Sequence, residues 1–362
     1  MYYLSTYIFI SIISFLQLNK KNPIIEKILW INTIFFLIFF YGFRDNVGGD
    51  WWVYEKDFNL INIDDSFLDM YRYGRISSYE IGYFILSVTI KKIGLTIHYV
   101  NFIISLFFYY SLNKFCSINE NRFLSLAICF PILILVISSG FVRQSISIAF
   151  FLLALTNLIY NNKKSFLFLI LISGLFHISS LIFTPFYFFI NKPNLKFKSI
   201  LINAVIFTIV FLLMIFLYKA KLFNLFDIYF LGATNVNNFD YPKGASFRVG
   251  ITLLAAFIFF IFRNELSKNA NESIIFFLLS LMTVATIILL NFFIVFVDRI
   301  NFYLIPIQVL VFSRLPYIFG GFKNQLIVHI YVILFYLLIL SVWLNFSTHI
   351  RFWIPYKNYI FN

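Results

Sequence analysis

Ser273–Val297 reads SIIFFLLSLMTVATIILLNFFIVFV, twenty-five consecutive residues without a charged side chain. About 20 such residues carry a helix through a hydrocarbon core of about 30 Å, where every backbone amide must be satisfied within the helix. The rest of the chain is of the same kind: 61% of its residues are hydrophobic and 12% charged, with 52 Phe and 23 Tyr. Soluble domains run at about 45–50% apolar and about 25% charged. A water-soluble fold cannot hide this much apolar surface. Disorder is excluded by the same numbers, and a secreted disulfide scaffold by the presence of only two cysteines, Cys116 and Cys129. The chain reads as an all-α, polytopic integral membrane bundle.

Apolar runs at 2–18, 28–43, 97–112, 123–138, 145–160, 165–190, 199–218, 249–263, 273–297, 300–319 and 325–346 are the expected spans. The 165–190 run is long, interrupted at Ser173-Gly174 and His177, and flanked by lysines at both ends. It reads as a hairpin of two short helices with His177 at the tip, which gives eleven to thirteen helices and about twelve crossings. Residues 2–18 lack a basic leader and precede Lys20-Lys21, so they read as a first span rather than a signal peptide. The whole chain, 1–362, is expected to form one membrane domain, with outer loops at 44–96 and 219–248. Within the first, segment 79–96, which carries Glu80 and Lys91-Lys92, suits an amphipathic helix lying at the interface.

The net charge is +13, yet no basic block exceeds a pair, which argues against nucleic-acid binding. Half of the 28 basic residues lie in the short gaps 19–27, 113–122, 161–164, 191–198, 263–272 and 313–324. The other half is spread over about twice that length. The dense set marks the cytoplasmic side, so both termini face outward.

Polar chemistry collects on the outer side. Loop 44–80 holds eight of the fifteen acids, and its start, Gly42-Phe-Arg-Asp-Asn-Val-Gly-Gly-Asp-Trp-Trp-Val-Tyr54, mixes glycines, charges and aromatics just beyond a span. Lysine follows the topology rule, but seven of the ten arginines face outward. Arg44, Arg143, Arg248 and Arg299 are all expected at one depth on that side. Guanidinium forks bind phosphate oxygens bidentately, and charges at this depth are costly without a partner. Four together would form a site for a phosphate or pyrophosphate at the membrane surface. The bland alternative is that each snorkels or pairs with a nearby acid, as Arg299 could with Asp298. His177 is expected in the same layer, although a lone histidine is more often a packing residue. His98, His329 and His349 have no companions suggesting metal ligation. Phosphate-loop, dinucleotide and nucleophile-elbow signatures are absent, so neither metal nor cofactor is expected.

Arg44 with Val47-Gly48-x-Asp50-x-x-x-Tyr54, then Glu80-x-Gly82-Tyr83, Arg143-Gln144, Phe176-His177-x-Ser179, and Arg299 with Tyr303 occur in this order along nearly the whole chain. In these landmarks the sequence resembles the EpsG-like branch of the Wzy-type polysaccharide polymerases. The resemblance implies a GT-C-like helical bundle in the bacterial inner membrane with its site facing the periplasm. It implies joining of undecaprenyl-pyrophosphate-linked oligosaccharide repeat units, as donor and acceptor, into O-antigen, capsule or exopolysaccharide. A membrane chain-length regulator is a further partner on this expectation. Arg44, Arg143, Arg248 and Arg299 would then face the pyrophosphate. Asp50 would be the first choice of base, His177 the second and Asp45 the third. Gln144, Glu80, Tyr83 and Tyr54 would orient sugar or arginine. A lipid-linked oligosaccharide flippase, an O-antigen ligase and a non-catalytic scaffold remain as alternatives.

Overall fold

A computed structural model describes residues 2–18, 22–67, 80–190 and 244–361. The expected span 199–218, most of the second outer loop, and Arg72 and Arg75 lie outside the described residues. What is described is helical, and the sole β contact there is an isolated bridge.

Helices α1 (Tyr2–Leu18), α2 (Pro23–Gly42), α3 (Trp51–Asn59), α4 (Ile81–Lys92), α5 (Ile97–Cys116) and α6 (Arg122–Cys129) open the chain. α6 continues through Pro131 as wide π-type turns, Phe130–Ser138. Proline cannot donate the usual i→i−4 bond and crowds the preceding turn, which favours such a local widening. Every side chain from Phe123 to Ser138 is buried, so this is the central element, packed by α1, α5 and the last two helices. α7 (Val142–Ile159) and α8 (Lys163–Phe176) form a tight antiparallel pair, followed by a 3₁₀ segment (Ile178–Phe183) and the single turn α9 (Phe186–Phe189). α10 (Ala245–Ile261), the short α11 (Arg263–Leu266), α12 (Ala270–Leu290), α13 (Ile294–Leu304), α14 (Pro306–Ile318) and α15 (Phe322–Phe346) complete the bundle.

Four described helices, α2, α7, α12 and α15, are long and apolar enough to cross a membrane alone, and α13 with α14, bent by 44° between Leu304 and Pro306, has the length and composition of a broken span or a re-entrant loop. Shorter apolar helices stand beside them. Apolar side chains such as Phe35, Phe257, Ile288 and Tyr331 point outward, as expected where lipid is the solvent. At 12 residues, or about 18 Å, α4 is too short to cross; it lies on α5 and α8 and buries Tyr83, Phe84 and Val88.

The 165–190 run is a hairpin. α8 stops at Phe176, His177 is extended, and the chain returns until the Lys163 ammonium donates to the Ile190 carbonyl. Two expectations are corrected. The break after α12 falls at 291–293 instead of at Asp298-Arg299, so both of those residues stand inside α13. Likewise α7 begins at Val142, so Arg143 occupies its first turn and not the preceding loop.

The bundle has two polar ends. At one, Arg314 grips both Glu272 oxygens (2.9 and 2.7 Å) and Asn119 Oδ1 (2.8 Å), Lys268 meets Glu120 (2.8 Å), and Arg122 meets Glu26 (3.1 Å). Four of the six lysine-dense gaps thus come together there. The other end gathers Arg44, Asp50, Glu80, Arg143, Arg248 and Arg299.

Candidate active site

The loop after α2 is held by a part of the chain three hundred residues away. Asp45 N–H donates to Lys357 O (3.0 Å), Gly48 N–H to Phe352 O (2.8 Å), and Tyr359 N–H to Phe43 O (2.7 Å). Residues 43–48 therefore lie against the C-terminal tail like paired strands, with Arg44 opposite Asn358. Gly48 has φ 115°, and a Cβ on it would come 2.1 Å from Ser139 O, so only glycine fits this turn. The turn delivers Asp50 to the start of α3.

The four arginines share one end of the bundle but differ in what they hold. Arg44 is 2% exposed and spends its donors on Tyr41 O (2.9 Å), Val47 O (3.3 Å) and Asn101 Oδ1 (3.2 Å). It knots the loop together and offers no open fork to a phosphate, which corrects the expectation for it. Arg248 gives Nε and Nη2 to Asp298 Oδ1 (2.9 and 2.6 Å). The sequence suggested Arg299 as the partner of Asp298; successive residues on a helix point about 100° apart, and Asp298 turns to α10 instead. Arg143 donates Nη1 to Glu80 Oε2 (2.5 Å) and Nε to Tyr54 Oη (2.7 Å). Arg299 has no carboxylate partner among the described residues. Its Nη1 reaches Gln144 Oε1 at 3.4 Å, its guanidinium lies 4.4 Å from the Phe141 ring centroid, and Gln144 Nε2 holds its carbonyl (2.8 Å).

Asp50 faces these last two cations. Its carboxylate makes no hydrogen bond among the described residues. Burial pushes its pKa above the usual carboxylate range, opposed by the charges of Arg299, Arg143 and His349 in that order. Burial also pushes the Tyr54 phenol up to about 12, so it stays protonated beside Arg143. Tyr83 stacks obliquely on Tyr54, with centroids 5.1 Å apart. The His177 ring lies 6.4 Å from that of Tyr303, one helical turn beyond Arg299, and the Tyr303 hydroxyl meets Ser147 Oγ at 2.7 Å. His177 Nδ1 accepts from Ser179 N–H (3.4 Å).

Asp50, Tyr54, Glu80, Tyr83, Arg143, Gln144, Arg299 and the hairpin tip thus form one neighbourhood. Asp45 has a different partner: its Oδ1 meets His98 Nε2 at 3.0 Å, and His98 stacks on Tyr359 at 4.1 Å. Asp45, the third choice of base, holds His98 in this structure. No group of three or more metal-ligating side chains occurs among the described residues.

The profile of the EpsG family matches residues 27–358, nearly the whole chain. The chain belongs to the EpsG family. No curated protein and no solved structure matches it. Membership makes it a polysaccharide-polymerase-like, multi-pass membrane protein. Tyr303 and the tail border this candidate site without having been chosen as site residues. The spacing of Tyr303 from Arg299, one helical turn, was a usable signal. The tail, aperiodic and distant in sequence, offered none.

Proposed function

We propose that this EpsG-family protein polymerises undecaprenyl-pyrophosphate-linked oligosaccharide repeat units by glycosyl transfer at the periplasmic face of the bacterial inner membrane. The observation that carries the reading is Asp50: a half-buried carboxylate with no hydrogen bond among the described residues, beside Arg299 and Arg143. That pairing suits a base next to a departing anion.

The acceptor hydroxyl oxygen bonds to the anomeric carbon of the donor sugar, and its proton passes to Asp50. The bond from that carbon to the pyrophosphate oxygen breaks, and the electron pair leaves on undecaprenyl pyrophosphate. Negative charge therefore grows at the diphosphate, where fixed cations lower the barrier most. Arg299, without an acid of its own, and Arg143, aimed by Glu80 and Tyr54, fill that role. Arg248, neutralised by Asp298, stands behind them. A carboxylate whose pKa is raised toward the working pH is the better proton acceptor, and general-base catalysis of this kind is worth about 10²–10⁴ in rate. His177 is the second candidate for this task. The dense lysines at the opposite end of the bundle support an outward-facing site.

Complementation of a deletion strain, read on a polysaccharide gel, tests this. Cells carrying Asp50→Asn or Arg299→Ala at normal protein levels should attach single repeat units and lack the long-chain ladder. A normal ladder from both variants refutes the assignment. Loss of all attached saccharide points to a ligase, and repeat units stranded on the inner leaflet point to a flippase.

A further inference from the structure

The indole of Trp353 packs on both of the segments that bring the proposed base and the proposed cation together, at the point where they touch: a Cβ on Gly48 would lie 2.1 Å from Ser139 O and 3.3 Å from the Gly140 Cα. Trp353 is 3% exposed although it belongs to the terminal tail. Its six-membered ring meets Gly49, the residue before Asp50, where an added Cβ would sit 3.8 Å away. The same edge lies flush against Gly140, three residues before Arg143, where a Cβ would come within 2.6 Å of the ring. Its Nε1 donates to Leu135 O (3.0 Å) and Ser139 Oγ (2.8 Å), fixing the ring to the last turn of the central helix. Trp343 packs edge-on at 5.2 Å, and Tyr3 Oη donates to the Trp353 carbonyl at 2.8 Å. The three main-chain bonds between residues 43–48 and the tail fix the same loop from its other edge.

A rigid fused ring, fastened at its nitrogen and packed on two backbones where they meet, braces their contact. An Ala at 140 has no room while the indole is present. We propose that Trp353 is a positioning residue for the transfer reaction, a brace that keeps the Asp50 turn seated against the segment leading into the Arg143 helix, and that the tail is a wall of the active site. The proposal rests on the reading of Asp50 and Arg143 given above. It assigns Trp353 no contact with substrate. Misplacing a reacting group by about 1 Å can cost about a hundredfold in rate, which sets the size of the effect.

The test uses the full-length protein in detergent or nanodiscs, supplied with lipid-linked repeat units isolated from the strain deleted for this protein. Turnover is expressed per folded molecule, so a loss of folding alone leaves it unchanged. Trp353→Ala should lower turnover roughly a hundredfold with little change in KM. Trp353→Phe keeps a ring packed on both segments and should recover most of that loss. Gly140→Ala should lower turnover in the parent, whereas Gly140→Ala with Trp353→Ala should be no worse than Trp353→Ala alone, because the clash then has no partner. Wild-type turnover per folded molecule for Trp353→Ala overturns the proposal. So do losses from the two substitutions that multiply, a reading that stands on Gly140→Ala and Trp353→Phe if the alanine variant fails to fold. Asp50→Asn run alongside separates the two claims: an inactive Asp50→Asn with normal Trp353 variants sinks the brace alone, and a fully active Asp50→Asn sinks the base on which the brace depends.

Discussion

Arg248 presses two donors onto a single oxygen of Asp298, at 2.9 and 2.6 Å, from a helix fifty residues upstream. Both side chains are largely buried, 17% and 6% exposed. Removing the acid leaves a guanidinium without its counter-charge, which costs about 3 kcal/mol for a buried pair. Asp298→Asn should therefore lower stability by about that amount in denaturation of the solubilised protein. Turnover per folded molecule should fall far less than in Arg299→Ala.

Arg299→Ala should do the reverse. Its head has one long hydrogen bond and one ring contact, so folding loses little, while the proposed leaving group loses its nearest uncommitted cation. By comparison with the removal of one oxyanion donor, the barrier should rise by about 3–4 kcal/mol. Single-turnover rates with lipid-linked donor measure it, and an unchanged rate excludes Arg299 from the chemistry.

Arg44→Ala should read as a folding defect. Two main-chain carbonyls and the Asn101 amide oxygen lose a donor in a place water does not reach, each at about 1–3 kcal/mol. Lysine cannot restore three directions of hydrogen bonding from one nitrogen. The yield of folded protein should collapse in both variants, and whatever survives should turn over normally.

Asp50 couples activity to pH. Its folded pKa is raised by burial, so the proton-accepting form predominates only above the ordinary carboxylate range. The acid limb of kcat/KM should lie above that range and vanish in Asp50→Asn. Stability moves the opposite way. Raised in the folded state, this group favours folding below its unfolded value near 3.8 and loses that contribution as pH rises through the folded value. Asp50→Asn should thus be more stable than the parent at neutral pH, with the advantage gone below about pH 4. Parallel melting curves at the two pH values check the sign.

Much of this was written in local pattern. Uninterrupted apolar runs announced the spans, and the lysines flanking 165–190 announced the hairpin, because lipid imposes length and charge rules that act on short windows. The residues Asp50, Glu80, Arg143 and Arg299 stood out as rare polar groups next to apolar runs, although Arg299 lies within a helix and not at the break expected there. Their partners were not. That Asp298 serves Arg248, that His98 takes Asp45, and that Gln144 holds the Arg299 carbonyl are matters of helix phase and of packing between distant segments. Arg44 misled because exposure cannot be read from a position at the end of a span. Trp353 was invisible for the same reason: its role depends on two glycines, 300 and 200 residues earlier, that leave room for it.

The hairpin from Lys163 to Ile190 begins and ends at the same level. Its tip, His177, stands beside Tyr303, so an excursion that starts and finishes on one face lends this end of the bundle a side chain with no net crossing.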